Sequence, residues 1–293
     1  MGRLVLTGFA DEAAIGLKEQ VQALRTAGLS HVELRMVDGI SVADFDHAMA
    51  QQVHQTLEAA RIEVSCLGSP IGKISVLDPI GPHLDVMKRL CQTAHQLETD
   101  RIRVFSFFIP QGKDPADYRG KVIDQLGRLL ELAESEGCVL LHENERDIYG
   151  DIPDRCLDLH RTFGTRLRGI LDPANYLLVD ADPWQAMQSL EPWIDYLHVK
   201  DVRRSDQRIV PAGAGDGSLA ALMRVMRNKP GDRFLSVEPH LTHFSGRDQL
   251  EKDSSQTRED DGDYTYPDGL TAFLTAVNAC RTLSETIEAE ATS

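Results

Sequence analysis

Four residues at matching places in the 293-residue sequence could together hold a cation: Glu143 in "LLHENE", Asp172 in "ILDPAN", His198 in "YLHVKD" and Glu238 in "SVEPHL". Each closes a short apolar run, and they follow one another at separations of 29, 26 and 40 residues. A lone histidine in an apolar strand usually makes no more than a core hydrogen bond. Three carboxylates and an imidazole in register call for another explanation, because buried acids without a cation must protonate or pair. Such a set suits one divalent ion, Mn, Mg, Co or Zn, at ligand distances of roughly 2.0–2.2 Å with positions left open for substrate oxygens. Nearby groups add candidates for holding a substrate. Lys73 follows the turn in "SPIGK" and could hold a carboxylate, phosphate or carbonyl. Lys200 shares the parity of His198 and could donate a proton or pair with Asp201 or Glu238, and His240 stands two residues past Glu238. His142 has the opposite parity to Glu143 and is expected to face helices.

Elements that could bring these residues together recur along the whole chain. Eight β-rich apolar runs start at Leu4, His31, Arg61, Arg101, Cys138, Arg166, Ile194 and Phe234. Between them lie stretches with apolar residues three and four apart, such as Leu17, Val21 and Leu24, or Ile123, Leu126, Leu130 and Leu132, which predict amphipathic helices. Eight alternations predict parallel strands joined by helical crossovers, and eight is the number that closes: an α/β, single-domain (β/α)8 TIM barrel over residues 1–282. An open doubly wound sheet is the competing architecture, but no G-x-G-x-x-G opens a helix near the start. In a barrel, strand C-terminal ends line the active face. Residues 245–269, polar and acidic, read as a long loop, and 283–293 as a frayed or disordered tail. In "FADE", Phe9 is expected as an apolar wall and Asp11 as a helix cap, and "PAGAGDG" (211–217) as a turn with a helix N-cap.

Charge and cysteines exclude several classes. With 31 basic against 46 acidic side chains the formal charge is -15, which opposes binding to nucleic acid or anionic lipid. Five widely spaced cysteines without a C-x-x-C pair argue against a disulfide framework and a thiolate zinc site. No apolar run is long enough to span a bilayer, and the opening "MGRLVLTGFADE" reads as a strand, not a signal peptide. A cytoplasmic protein with a small-molecule partner is expected.

The order Glu143, Asp172, His198, Glu238 on strands five to eight, with "SVEPH" last and "GAGDG" before the final helices, resembles the xylose-isomerase-like TIM-barrel superfamily of sugar isomerases and epimerases. That superfamily also holds inosose dehydratase and the family-2 AP endonucleases. The resemblance implies that these four residues ligate the metal and that Glu143 and Glu238 also move the proton, as in the ketohexose epimerases. It places a substrate-binding arginine at Arg204, six residues after His198, and a substrate contact at Glu33. Where those epimerases keep a histidine, this chain has Asn175, and where they keep a second substrate-binding glutamate it has Tyr149. The activity implied is a divalent-metal-dependent isomerisation or epimerisation of a sugar or polyol through a metal-stabilised enediolate. The alternative is a metal-dependent dehydratase of a keto-cyclitol or polyhydroxy ketone. A barrel that binds metal or sugar without turnover is a further reading. An AP endonuclease is opposed by the acidic charge and by too few histidines at strand ends. Barrels of this type often pair, so a homodimer is one assembly open to it.

Overall fold

The computed structural model describes residues 2–242 and 266–292, and eight parallel strands form its central sheet. They are β1 (Arg3–Gly8), β2 (His31–Leu34), β3 (Glu63–Leu67), β4 (Arg101–Val104), β5 (Val139–Glu143), β6 (Leu167–Leu171), β7 (Ile194–Val199) and β8 (Asp232–Val237). Hydrogen-bonded ladders run in the order β1-β8-β7-β6-β5-β4-β3-β2, with β1 and β2 side by side at the seam, so the predicted TIM barrel is present and nearly closed. Around it lie α1 (Leu17–Thr26), α2 (His47–Ala60), α3 (Gly81–Gln96), α4 (Arg119–Ser135), α5 (Pro153–Phe163), α6 (Pro173–Leu177), α7 (Pro183–Leu190), α8 (Leu219–Asn228) and α9 (Gly269–Thr292).

The strand sequences explain the layering. Side chains alternate across a strand, so residues two apart share a face. Inside the barrel, Val5, Cys66, Leu141, Ile170, Tyr196 and Phe234 make an apolar plug. Two residues beyond Leu141, Ile170 and Tyr196 come Glu143, Asp172 and His198, and four beyond Phe234 comes Glu238. The plug thus sets the floor on which the polar groups stand. Outside, a continuous apolar layer joins barrel to helices. In α4 the buried stripe is Val122, Leu126, Leu129, Leu130 and Ala133, while Ile123 and Leu132 are only partly covered.

The C-terminal stretch differs from the expectation of a frayed tail. Residues 283–292 continue α9, Ile287 is buried, and Arg224 and Arg227 of α8 pair with Glu290 and Glu288 at 2.8 and 2.6 Å. These are contacts between elements, so local composition does not reveal them. The acidic stretch expected as a loop lies outside the described residues except for 266–269, of which Gly269 opens α9. No helix among the described residues is long and apolar enough to cross a membrane.

Candidate active site

At the C-terminal end of the barrel, one donor atom from each of Glu143, Asp172, His198 and Glu238 lies within 4.8 Å of the others, and all four residues are buried. Local structure aims each one. Asn144 clamps the ends of β5 and β6 together, its amide nitrogen donating to the Asp172 carbonyl and its oxygen accepting from the Asp172 N–H, both at 2.9 Å. Asp172 then N-caps α6, Oδ1 accepting from the Asn175 N–H at 3.0 Å, which leaves Oδ2 facing the cluster.

His198 is held at both nitrogens. Nδ1 lies 2.9 Å from Glu143 Oε1 and 4.0 Å from Glu238 Oε2, while Nε2 lies 3.1 and 3.3 Å from the two oxygens of Glu33. The edge of Phe9 packs on the ring at 5.4 Å, the apolar wall expected of it. Burial opposes the imidazolium, but Glu143 and Glu33 outweigh it and push the His198 pKa up to about 10. Glu33, for which the resemblance implies a substrate contact, is fully buried behind His198, with both oxygens on the ring.

Two arginines that composition gives no reason to single out hold the two glutamates. Arg103 Nη1 stands 3.1 Å from Glu143 Oε2. Arg35 spends Nε on Asp11 at 2.8 Å, Nη2 on Glu12 at 3.1 Å and Nη1 on Glu238 Oε1 at 3.1 Å. Asp11 is therefore a buried ion-pair partner and not a helix cap: the 3-10 turn it sits in, Ala10–Glu12, has no side-chain cap bond. Burial drives Glu12 up to about 8 against the pull of Arg35, and His240 closes the group, with Nε2 3.3 Å from Glu12 Oε1 and 3.5 Å from Glu238 Oε1.

Lys200 reaches into the same cluster, with Nζ 2.9 Å from both Asp172 Oδ2 and Glu238 Oε2. The two acids respond differently. Burial pushes Asp172 up to about 6, since Lys200 is opposed by the charges of Glu238 and Glu143. Glu238 is buried too, yet Lys200, His240, His198 and Arg35 together hold it well below the carboxylate range.

Several expected residues line one pocket: Lys73, Asn175, Lys200 and His240, together with Glu143 and Glu238. Lys73 pairs with Glu145 at 3.2 Å and lies over the Phe105 ring. Asn175 donates its amide to the Asn144 carbonyl. Arg204 is not brought there. It is exposed, with Nη2 on the Ala181 carbonyl at 3.3 Å, because Asp201–Arg203 and Arg208–Val210 form a hairpin that carries residue 204 away. Tyr149 also stays outside, donating its hydroxyl to Asp158. His142 faces outward to Ser106 Oγ at 3.0 Å, as its parity predicts. Asp201, expected as a loop residue, is buried, and its carboxylate accepts from the N–H groups of Val202, Gly213, Gly215 and Gly217. The loop wraps it so closely that a Cβ on Gly215 would run into Oδ1. Ser218, the residue before α8, makes no side-chain cap bond.

The donor set fits a divalent ion. Besides the clustering, the buried oxygens Glu143 Oε2 and Asp172 Oδ2 accept no hydrogen bond, standing near Arg103 and Lys200 without the geometry for one.

A family model described as "Xylose isomerase-like TIM barrel" matches residues 21–259. No curated protein matches the chain by sequence. Among solved structures, an L-ribulose 3-epimerase superposes with a TM-score of 0.74 at 18% identity, covering 100% of this chain and 97% of its own. The IOLI protein, solved with a bound zinc atom, gives 0.74 at 14% identity, with 97% and 99% covered. A protein described as "probable 3-DHS dehydratase AsbF" from Bacillus anthracis gives 0.70 at 16% identity, with 96% and 99% covered. At these identities the likeness is one of fold.

Proposed function

The chain belongs to the xylose isomerase-like TIM barrel family, and from that premise we propose that it is a divalent-metal-dependent isomerase or epimerase of a sugar or polyol. The observation that carries this reading is the convergence of the Glu143, Asp172, His198 and Glu238 donor atoms within 4.8 Å at the active face. The L-ribulose 3-epimerase and zinc-bound neighbours agree with it.

An ion held by these four residues would supply Lewis-acid polarisation of adjacent carbonyl and hydroxyl oxygens, acidifying the carbon-bound proton between them. The chain's own part is to hold the groups and move the proton. Glu143 and Glu238 come from β5 and from beyond β8, with β6 and β7 between them, and flank the cluster. One removes the proton and the other returns one, to the opposite face for epimerisation or to the neighbouring carbon for an aldose–ketose exchange. Arg103 and Arg35 fix the two carboxylates in place. Lys73, Asn175 and His240 line the pocket as contacts for substrate oxygens.

A second reading is favoured by Lys200, whose ammonium lines the same pocket and could assist departure of a β-hydroxyl. That would make the enzyme a dehydratase of a polyhydroxy ketone, in line with the dehydratase neighbour. Metal analysis of the purified protein with Asp172→Ala and Glu143→Gln tests the site. Near-stoichiometric metal in the wild type that is lost in Asp172→Ala supports it, and retention by Asp172→Ala refutes it. Screening candidate substrates in D2O separates the reactions: deuterium at a substrate carbon without mass loss marks the first, loss of water the second.

A further inference from the structure

The oxygens still open to a cation in this cluster are few. Asp172 Oδ1 is committed to the cap of α6, and Glu238 Oε1 to Arg35. Besides Glu143 Oε2, which stands near Arg103, what remains facing the centre is Asp172 Oδ2 and Glu238 Oε2, and Lys200 Nζ lies 2.9 Å from each of these two. A divalent ion bound by these residues needs the same two oxygens, and at ligand distances of about 2.0–2.2 Å it leaves no room for an ammonium between them. Two like charges at that spacing in a buried site also repel strongly.

We propose that Lys200 is a resident counter-cation of the site, which holds Asp172 and Glu238 in place until a divalent ion takes their oxygens and then swings its ammonium out toward Glu145. Glu145 is the natural receiver: it follows β5 at the rim of the same pocket, it is already paired to Lys73, and its charge acts on Lys200. Lysine suits the task because its charge is a compact point on a flexible four-carbon stem, able to change partners by rotation about side-chain bonds. The consequence is an order of events: metal loading comes first, and only then does the ammonium, which already borders the substrate pocket, turn from Asp172 and Glu238 toward Glu145 at its rim. This inference rests on the metal-dependent reading above.

The test measures Mn2+ affinity by chelator competition, with thermal unfolding in EDTA, for wild type, Lys200→Met and Lys200→Gln. Without its internal competitor each variant should bind Mn2+ about tenfold or more tightly while unfolding at lower temperature in EDTA. Unchanged or weaker Mn2+ binding in the variants, with wild type still binding, overturns the role of Lys200 alone. Absence of Mn2+ binding in wild type and variants alike overturns the metal-dependent reading on which it rests. A variant-free arm covers misfolding: acetylation of Lys200 in the wild type, followed by mass spectrometry, should rise severalfold on adding Mn2+. Equal or lower labelling overturns the proposal.

Discussion

Replacing Glu33 tests the reasoning about the site most sharply, because its carboxylate touches no candidate ligand except through His198. Its two oxygens sit 3.1 and 3.3 Å from Nε2, both residues are 0% exposed, and the opposite nitrogen faces Glu143 at 2.9 Å. Glu33→Ala leaves Nε2–H without an acceptor and Arg103 with one fewer compensating charge, the situation in which breaking a buried pair costs about 3–5 kcal/mol. At about 2–4 °C per kcal/mol for a domain of this order of size, that is a fall in Tm of roughly 6–20 °C. Glu33→Gln keeps an acceptor for Nε2–H but loses the charge, a loss of about 1.5–3 kcal/mol. Its effect on metal should be the larger one. A carboxylate behind a ligating histidine fixes ring and tautomer, and removing such a partner typically weakens metal binding by about 10–100-fold. Thermal unfolding in EDTA and Mn2+ titration against a chelator give the two numbers separately. If Glu33→Gln binds Mn2+ as wild type does, or Glu33→Ala unfolds within a degree of wild type, Glu33 does not position His198.

Other consequences follow from the same network. Arg35→Met should cost about 3–5 kcal/mol in urea unfolding, and Arg35→Lys should not recover it, because three different nitrogens serve Asp11, Glu12 and Glu238; full recovery by lysine would refute the fork geometry. Asp201→Ala strips four backbone N–H groups of their acceptor and should destabilise by about 3 kcal/mol or more, with Asp201→Asn in between; a loss under 1 kcal/mol would show that the glycine loop holds itself. His142 and His160 are held neutral by burial, their pKa values lowered to about 3 and about 4. The unfolded chain therefore takes up protons first, and stability falls as pH drops from about 6.5 toward 4, by up to about 1.4 kcal/mol per pH unit for each ring. Removing one ring with His160→Gln should flatten that slope, and an unchanged slope in urea titrations would refute the assignment.

Alternation made the candidate ligands legible. Leu141, Ile170 and Tyr196 face inward, so the residues two positions on do as well, and parity alone could place Glu143, Asp172 and His198 at one end of one barrel. The same rule hid the arginines. Arg103, inside "RIRV", reads as an ordinary solvent-facing charge, and only the closed sheet shows that its side of the strand is the interior. Arg35 is the single residue between β2 and the short strand Met36–Val37, where spacing predicts nothing about direction. Arg204 illustrates the opposite error: counting six residues from His198 locates the backbone, but the hairpin between Asp201 and Val210 decides where the side chain goes. The final turns of α9 depend on Arg224 and Arg227 of another helix, so the tail sequence carries no sign of them.

Charge explains why these buried groups belong together. Asp11, Glu12, Glu33, Glu143, Asp172 and Glu238 are six buried carboxylates, and the cations fixed among them are Arg35, Arg103 and Lys200. Left ionised, the set would hold three uncompensated negative charges in a low-dielectric interior, which no fold of ordinary stability tolerates. The structure shows where the compensation goes when only protons are offered: His198 is driven up to about 10 and Glu12 up to about 8. One divalent ion would replace two such protons while using oxygens that already point inward. Part of the acid excess that composition reports for the whole chain thus lies in one buried cluster that could hold a cation, and the buried arginines set how strong that pull is. Adding a positive charge there, as in Glu33→Lys, should abolish metal binding outright, whereas exposed acids such as Glu58 can be neutralised with no effect on it.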